Sequence, residues 1–195
     1  LREMRRRYEH SLPAEAKTFL RAVKLLYLCG IYQYRFELVR QVMSSIFKVS
    51  MNDQNEVSIF SSLVVDTGLL AGRGDPVQIY DPYLEQCVSD YPPNPTALTE
   101  HREKLFDTLV QARDPAGLFY MGVWAYDAAE REFAERCYAE SLGINPDAES
   151  AHNNYANLLA QQGRREEAEE HYKEALRLNP EYAEAHNNYA ILLRE

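Results

Sequence analysis

The chain has 195 residues, 46% of them hydrophobic and 26% charged, with a formal net charge of −9. That is enough apolar material for one or two sizeable cores, and the acidic balance argues against nucleic acid as a partner, since neutralising phosphates takes Lys and Arg. Cys29, Cys87 and Cys137 have no metal-ligand spacing, no signal peptide opens the chain and no apolar run is long enough to span a membrane, all of which point to a reduced, cytoplasmic protein.

The charge is unevenly spread. Residues 1–50 hold ten Lys and Arg against four acids, whereas residues 51–114 hold four against eleven and residues 115–195 seven against fifteen. Only the first fifty residues could attract an anion. Residues 1–10 place Leu1, Met4 and Tyr8 on one helical face with Arg2, Arg5, Arg6 and Arg7 around it, the pattern of a basic, solvated helix. Ser11, Leu12 and Pro13 break it and start another, with Ser11 able to cap. Ala16, Phe19, Leu20, Val23, Leu26 and Tyr27 then recur at helical steps over 13–29, and Gly30 ends the run. A second helix is expected over 34–47, with Phe36, Val39, Val42, Met43 and Ile46 as its apolar stripe. A third, capped by Asn52 or Asp53, carries Val57, Phe60, Leu63 and Val64.

The period then changes. Residues 68–71 and 77–80 flank Gly72-Arg73-Gly74-Asp75-Pro76 and read as two short strands joined by a tight loop. Asp81 and Pro82 open a fourth helix that runs to Tyr91. Pro92-Pro93-Asn94-Pro95 interrupts helical continuity. From Thr96 or Thr99 a connecting helix presents Leu98, Leu105, Phe106, Leu109 and Val110 inward as far as Asp114-Pro115, sealing the helices beyond it.

From Pro115 the chain repeats. Ala151-His152-Asn153-Asn154-Tyr155-Ala156 returns 34 residues later as Ala185-His186-Asn187-Asn188-Tyr189-Ala190, and Asn145-Pro146 returns as Asn179-Pro180. Small residues at Ala156, Ala168 and Ala175 let helix backbones approach, and Tyr155, Leu159 and Tyr172 fill the space between pairs. One period earlier the same slots hold Gly122, Ala134 and Ser141, with Met121 and Tyr138 as large partners. Ala129 stands where the next repeat has Gly163, so the first inter-helix turn is the less regular one. A helix–turn–helix period of 34 residues resembles the tetratricopeptide repeat, whose units stack to bury their apolar faces. The resemblance gives repeats at 115–148 and 149–182 and a half repeat at 183–195, whose Tyr189, Leu192 and Leu193 lack a covering helix. Opening on Leu1 and closing on half a repeat, the chain reads as a segment of a longer polypeptide.

Residues 12–92 carry a second resemblance. Three helices and a hairpin match a winged helix-turn-helix. The phrase Ser62-Leu63-Val64-Val65-Asp66-Thr67-Gly68-Leu69-Leu70, followed by the hairpin and Ile79-Tyr80-Asp81-Pro82-Tyr83-Leu84, is similar to the winged-helix segment of STAND-class signal-transduction NTPases. The opening Leu12-Pro13-Ala14-Glu15-Ala16 leading to Leu25-Leu26-Tyr27-Leu28-Cys29-Gly30 fits the start of that segment. The resemblance implies an upstream nucleotide-binding domain as partner and a downstream repeat sensor. The fold expected is thus mostly α: a winged helix-turn-helix over 1–92, a linker and connecting helix over 93–114, and an α-solenoid of repeat pairs over 115–195.

No catalytic constellation is visible. There is no GxxxxGK[ST], HExxH or GxSxG, and so no enzyme activity or cofactor is expected within these residues. His152 and His186 share a register but lack a third ligand, so no metal site is expected. The expected third helix offers no Lys or Arg to DNA. In tetratricopeptide repeats the first helix of each pair lines a concave groove for an extended peptide. Here that surface would present Phe119, Val123 and Tyr126, then Asn153, Asn154 and Asn157, then Asn187 and Asn188. Asparagine both donates and accepts, so a row of them suits a peptide backbone; Asn154 and Asn188 resemble the asparagine ladder of O-GlcNAc transferase repeats. No cationic clamp for a carboxylate is expected on these faces, and removing the asparagines is expected to weaken binding without unfolding. The function expected is regulatory protein binding, as the winged helix and sensor of a STAND-like NTPase; a plain repeat adaptor and a winged-helix transcriptional regulator are the alternatives.

Overall fold

The computed structural model describes residues 6, 8, 10, 12–32, 35–51, 59, 88, 90–92 and 94–194. The chain divides into two compact units, Leu1–Thr108 and Leu109–Glu195. Among the described residues every regular element is an α-helix, and none is long and apolar enough to cross a membrane. The expected hairpin at 68–80, most of the third helix and the fourth helix lie outside the described residues.

The first unit holds α1 (Ala14–Leu28) and α2 (Phe36–Ser45), which pack against each other. The apolar stripe of α1 is buried as its spacing requires, at Ala16, Phe19, Leu20, Val23 and Leu26. Pro13, rather than Ser11, occupies the position before its first turn. Lys24 sits within this buried face, its Nζ donating to the Val88 carbonyl at 2.5 Å, which offsets the cost of burying a charge. Tyr8 is 2% exposed and donates to Asp90, which also pairs with Arg21. Burial pushes the Asp90 carboxyl up, but the bonds from Arg21 and Tyr8 outweigh it and hold the group below its usual range. α3 (Pro95–Gln111) begins earlier than expected, because Asn94 accepts from the Ala97 amide at 2.8 Å and Pro95 stands at the first helical position. Within this unit α3 meets α2 where the Ser45 and Thr108 hydroxyls lie 3.1 Å apart, and His101 stacks on Tyr91 at 5.7 Å between centroids.

The second unit is a run of helices: α4 (Pro115–Asp127), α5 (Arg131–Ile144), α6 (Glu149–Gln161), α7 (Arg165–Leu178) and α8 (Ala183–Arg194). α4 pairs with α5 and α6 with α7, each second helix packs on the next first helix, and α4, α6 and α8 lie side by side. Asp114 caps α4 by accepting from the Gly117 amide at 3.0 Å. Gly117 has to be glycine, because a Cβ there would lie 2.6 Å from Leu109.

Inter-repeat contacts recur with the sequence period. Tyr155 bonds Glu135 of the previous second helix, and Tyr189, one period on, bonds Glu169 at 2.9 Å. The rings of Tyr138 and Tyr155 are 6.1 Å apart, those of Tyr172 and Tyr189 5.8 Å. His152 Nε2 meets the Pro146 carbonyl and His186 Nε2 the Pro180 carbonyl. The small residues work as expected: Ala134, Ala156, Ala168 and Ala175 are fully buried, and a Cβ on Gly122 would come within 2.7 Å of Tyr138. Leu192 departs from the expected uncovered strip. It is 4% exposed, packed with Ala156, Leu159 and Tyr172, whereas Leu193 is 57% exposed.

The turn at Ala129 is as regular as its successor. Glu130 donates to the Ala125 carbonyl and Arg164 to that of Leu159, six-to-one bonds that close both helices in the same motif. Both motifs need a left-handed residue, which Gly163 supplies at φ 77° and Ala129 at φ 60°. Alanine bears strain there that glycine does not.

Candidate functional site

Side by side, α4, α6 and α8 enclose a cleft of about 410 Å³. Its walls are Tyr126 from α4, Asn157, Ala160 and Gln161 from α6, Glu184, Asn188 and Ile191 from α8, with Tyr172 and Leu192 behind them. Helical register puts these residues on one side: Asn157 and Ile191 are one period apart, as are Tyr126 and Ala160. Tyr172 donates to Asn157 Oδ1 at 2.5 Å, which fixes the amide. Gln161 in turn donates to the Tyr126 hydroxyl.

Of the residues expected on this face, the cleft brings together Tyr126, Asn157 and Asn188. Asn154 is half-buried and accepts from Asn153 at 3.3 Å. Asn187 is exposed and Val123 half-buried, and neither lines the cleft. Phe119 belongs to a smaller hollow of about 260 Å³ beside Pro115, Ser141 and Glu149, with its ring 6.2 Å from that of Tyr138.

Asn153 requires a correction. It is fully buried and so not offered to a partner. Its amide donates to Glu184 Oε1 at 3.1 Å and its carbonyl accepts from Asn188 at 3.2 Å, so it clasps α8 to α6. Removing it would therefore disturb folding, and the cross-repeat amide bond runs from Asn188 to Asn153 rather than to Asn154. Arg194, in register with Ala160, is exposed and does not line the cleft. Sequence reasoning missed Gln161, Glu184 and Ile191. The 34-residue register would have found Ile191, as the counterpart of Asn157.

The histidines pair differently from their sequence register. His152 Nδ1 lies 2.8 Å from His171 Nδ1, within one helix pair, and not against His186. Because the Pro146 carbonyl can only accept, His152 Nε2 carries the hydrogen and Nδ1 accepts from His171. Both His152 nitrogens are thus engaged. Burial, then the neighbouring His152, holds His171 below the ordinary histidine value. Among the described residues no group of three or more His, Cys, Asp and Glu could hold a metal.

A stack of helix pairs with an amide-lined cleft on its first helices defines a helical-repeat module of the protein-interaction kind. Residues 149–182 match the tetratricopeptide repeat family, and the chain carries that repeat. The contacts repeated 34 residues apart extend the same packing to α5 and α8. No curated protein matches the chain.

Proposed function

We propose that the cleft between α4, α6 and α8 holds an extended segment of a partner polypeptide, making the second unit a non-catalytic protein-binding module. What carries this reading is the lining: amides from Asn157, Gln161 and Asn188, on two successive first helices, stand beside the apolar Ile191. An extended backbone presents N–H and C=O groups on both edges, and an amide can meet either. Ile191, 48% exposed, offers a surface to an apolar side chain without belonging to the core.

Peptides selected on the intact chain by phage display provide the probe. Gln161 and Ile191 are both exposed, so the double variant Gln161→Ala/Ile191→Ala leaves the core untouched. One neutral hydrogen bond contributes about 0.5–1.5 kcal/mol and a partly buried aliphatic side chain about 1 kcal/mol, so affinity should fall about 10- to 70-fold. An unchanged affinity would move the site elsewhere, the Phe119 hollow first.

The finer reading is that residues 1–92 are the winged helix of a STAND-like signalling NTPase and the repeats its sensor. It is supported by the sequence resemblance over 12–92, with α1 and α2 in the expected order. On that reading the basic N-terminal stretch meets an upstream nucleotide-binding domain, and this chain alone binds neither ATP nor duplex DNA. A low-salt titration is the severest check, since electrostatic binding is strongest there. Sequence-selective duplex binding would favour the transcriptional regulator instead.

A further inference from the structure

The cleft carries one feature that a backbone-binding surface does not need. Glu184 is the one charged residue lining it among the described residues, and it is exposed. Its carboxylate is held in place: Oε1 accepts from Asn153, and Asn153 is itself fully buried and gripped by Asn188. A long acidic side chain at a helix start ordinarily samples several rotamers, whereas this one is tethered by an amide with no freedom of its own. Tyr182, in the preceding turn, also hydrogen-bonds the Glu184 carboxylate, with Glu149 near the same tyrosine. The other lining residues among those described are amides, tyrosines and aliphatic side chains. Residues 115–195, with seven Lys and Arg against fifteen acids, add a field of the same sign.

We infer that the cleft selects an extended peptide bearing a basic side chain opposite Glu184, next to an aliphatic side chain on Ile191. This rests on the groove reading above and adds to it the chemistry of the partner. The lining offers a lysine or arginine head a fixed acceptor, and the same carboxylate repels an acidic peptide. Arg194 is exposed and outside the lining.

The test uses three fluorescein-labelled pools of synthetic decapeptides on the full chain, read by anisotropy at low ionic strength. All share a random background of Ala, Ser, Thr, Val and Leu, and they differ in a fixed central Lys, Gln or Glu. The Lys pool should bind about 1.5- to 5-fold tighter than the Gln pool, the range of an exposed ion pair, and the Glu pool weakest. Glu184→Gln, which keeps an oxygen for Asn153, should erase the difference, and Glu184→Lys should reverse it. A preference that survives Glu184→Gln would assign selection to the overall field and overturn the inference. Equal binding by all pools, still weakened by Gln161→Ala/Ile191→Ala, would overturn it while leaving the groove standing. Binding by none of the pools would remove the groove reading, and the inference with it.

Discussion

Asn153 offers the sharpest test of how the repeats are joined, because the chain contains its own control. Asn153 and Asn187 are the same residue in the same register of α6 and α8, yet one is fully buried and the other exposed. Replacing Asn153 with Ala removes a bond donated to the Glu184 carboxylate and one accepted from Asn188, besides the longer one to the adjacent Asn154. The neutral bond contributes about 0.5–1.5 kcal/mol, and a bond to a charged group about 1.5–3 kcal/mol, here towards the lower limit because Glu184 is exposed. The two share one amide and do not add fully, so the loss should be about 2–3 kcal/mol. Asn187→Ala, at an exposed site, should stay within about 0.5 kcal/mol of the parent. Urea unfolding followed by far-UV circular dichroism measures both. If the two variants unfold at the same midpoint, Asn153 does not clasp α8 to α6.

Two further outcomes concern the turns and the histidines. Ala129→Gly relieves a left-handed alanine worth about 1–2 kcal/mol at an entropic cost of about 0.4–1 kcal/mol, so it should stabilise by about 0.5–1 kcal/mol, while Gly163→Ala should destabilise by about as much; thermal unfolding of the pair checks both signs. His171 is held below its ordinary value of 6.5 in the folded chain, so folding favours its neutral form. That contribution is fully present above the unfolded value and is lost as pH falls from there through the folded value; His101 is depressed in the same direction, by burial and by Lys104, and adds to the slope. Stability should therefore decline below about pH 6.5, with a shallower decline in His171→Gln. Imidazole proton titration by NMR would contradict this if His171 titrated at or above the ordinary value.

Legibility in the sequence is set by volume. The slots at Ala156, Ala168, Ala175 and Tyr172 are fixed by how closely neighbouring helices approach, and packing leaves little choice of size, so the period shows through. Residue type alone makes the turn at Ala129 look irregular; the backbone adopts the same left-handed closure and bears the strain. The division of labour among the asparagines is not legible. Whether an amide faces a ligand or a neighbouring helix depends on α8 lying against α6, and no periodicity within α6 encodes that. Register pairs His152 with His186, whereas its real partner His171 is on the other helix of the same pair, a contact the helical turn creates. Lys24 interrupts an apolar stripe in the sequence; its bond to the carbonyl of Val88, far along the chain, helps make its burial tenable.

The most direct test of the groove is an NMR titration of the labelled chain with a selected peptide, watching side-chain amide resonances. Asn157, Gln161 and Asn188 line the cleft, and Asn145 and Asn179 sit in the turns after α5 and α7. Peptide binding in the cleft should shift the first three and leave the last two in place. Shifts confined to Asn145 and Asn179 would place the partner outside the cleft and contradict the groove.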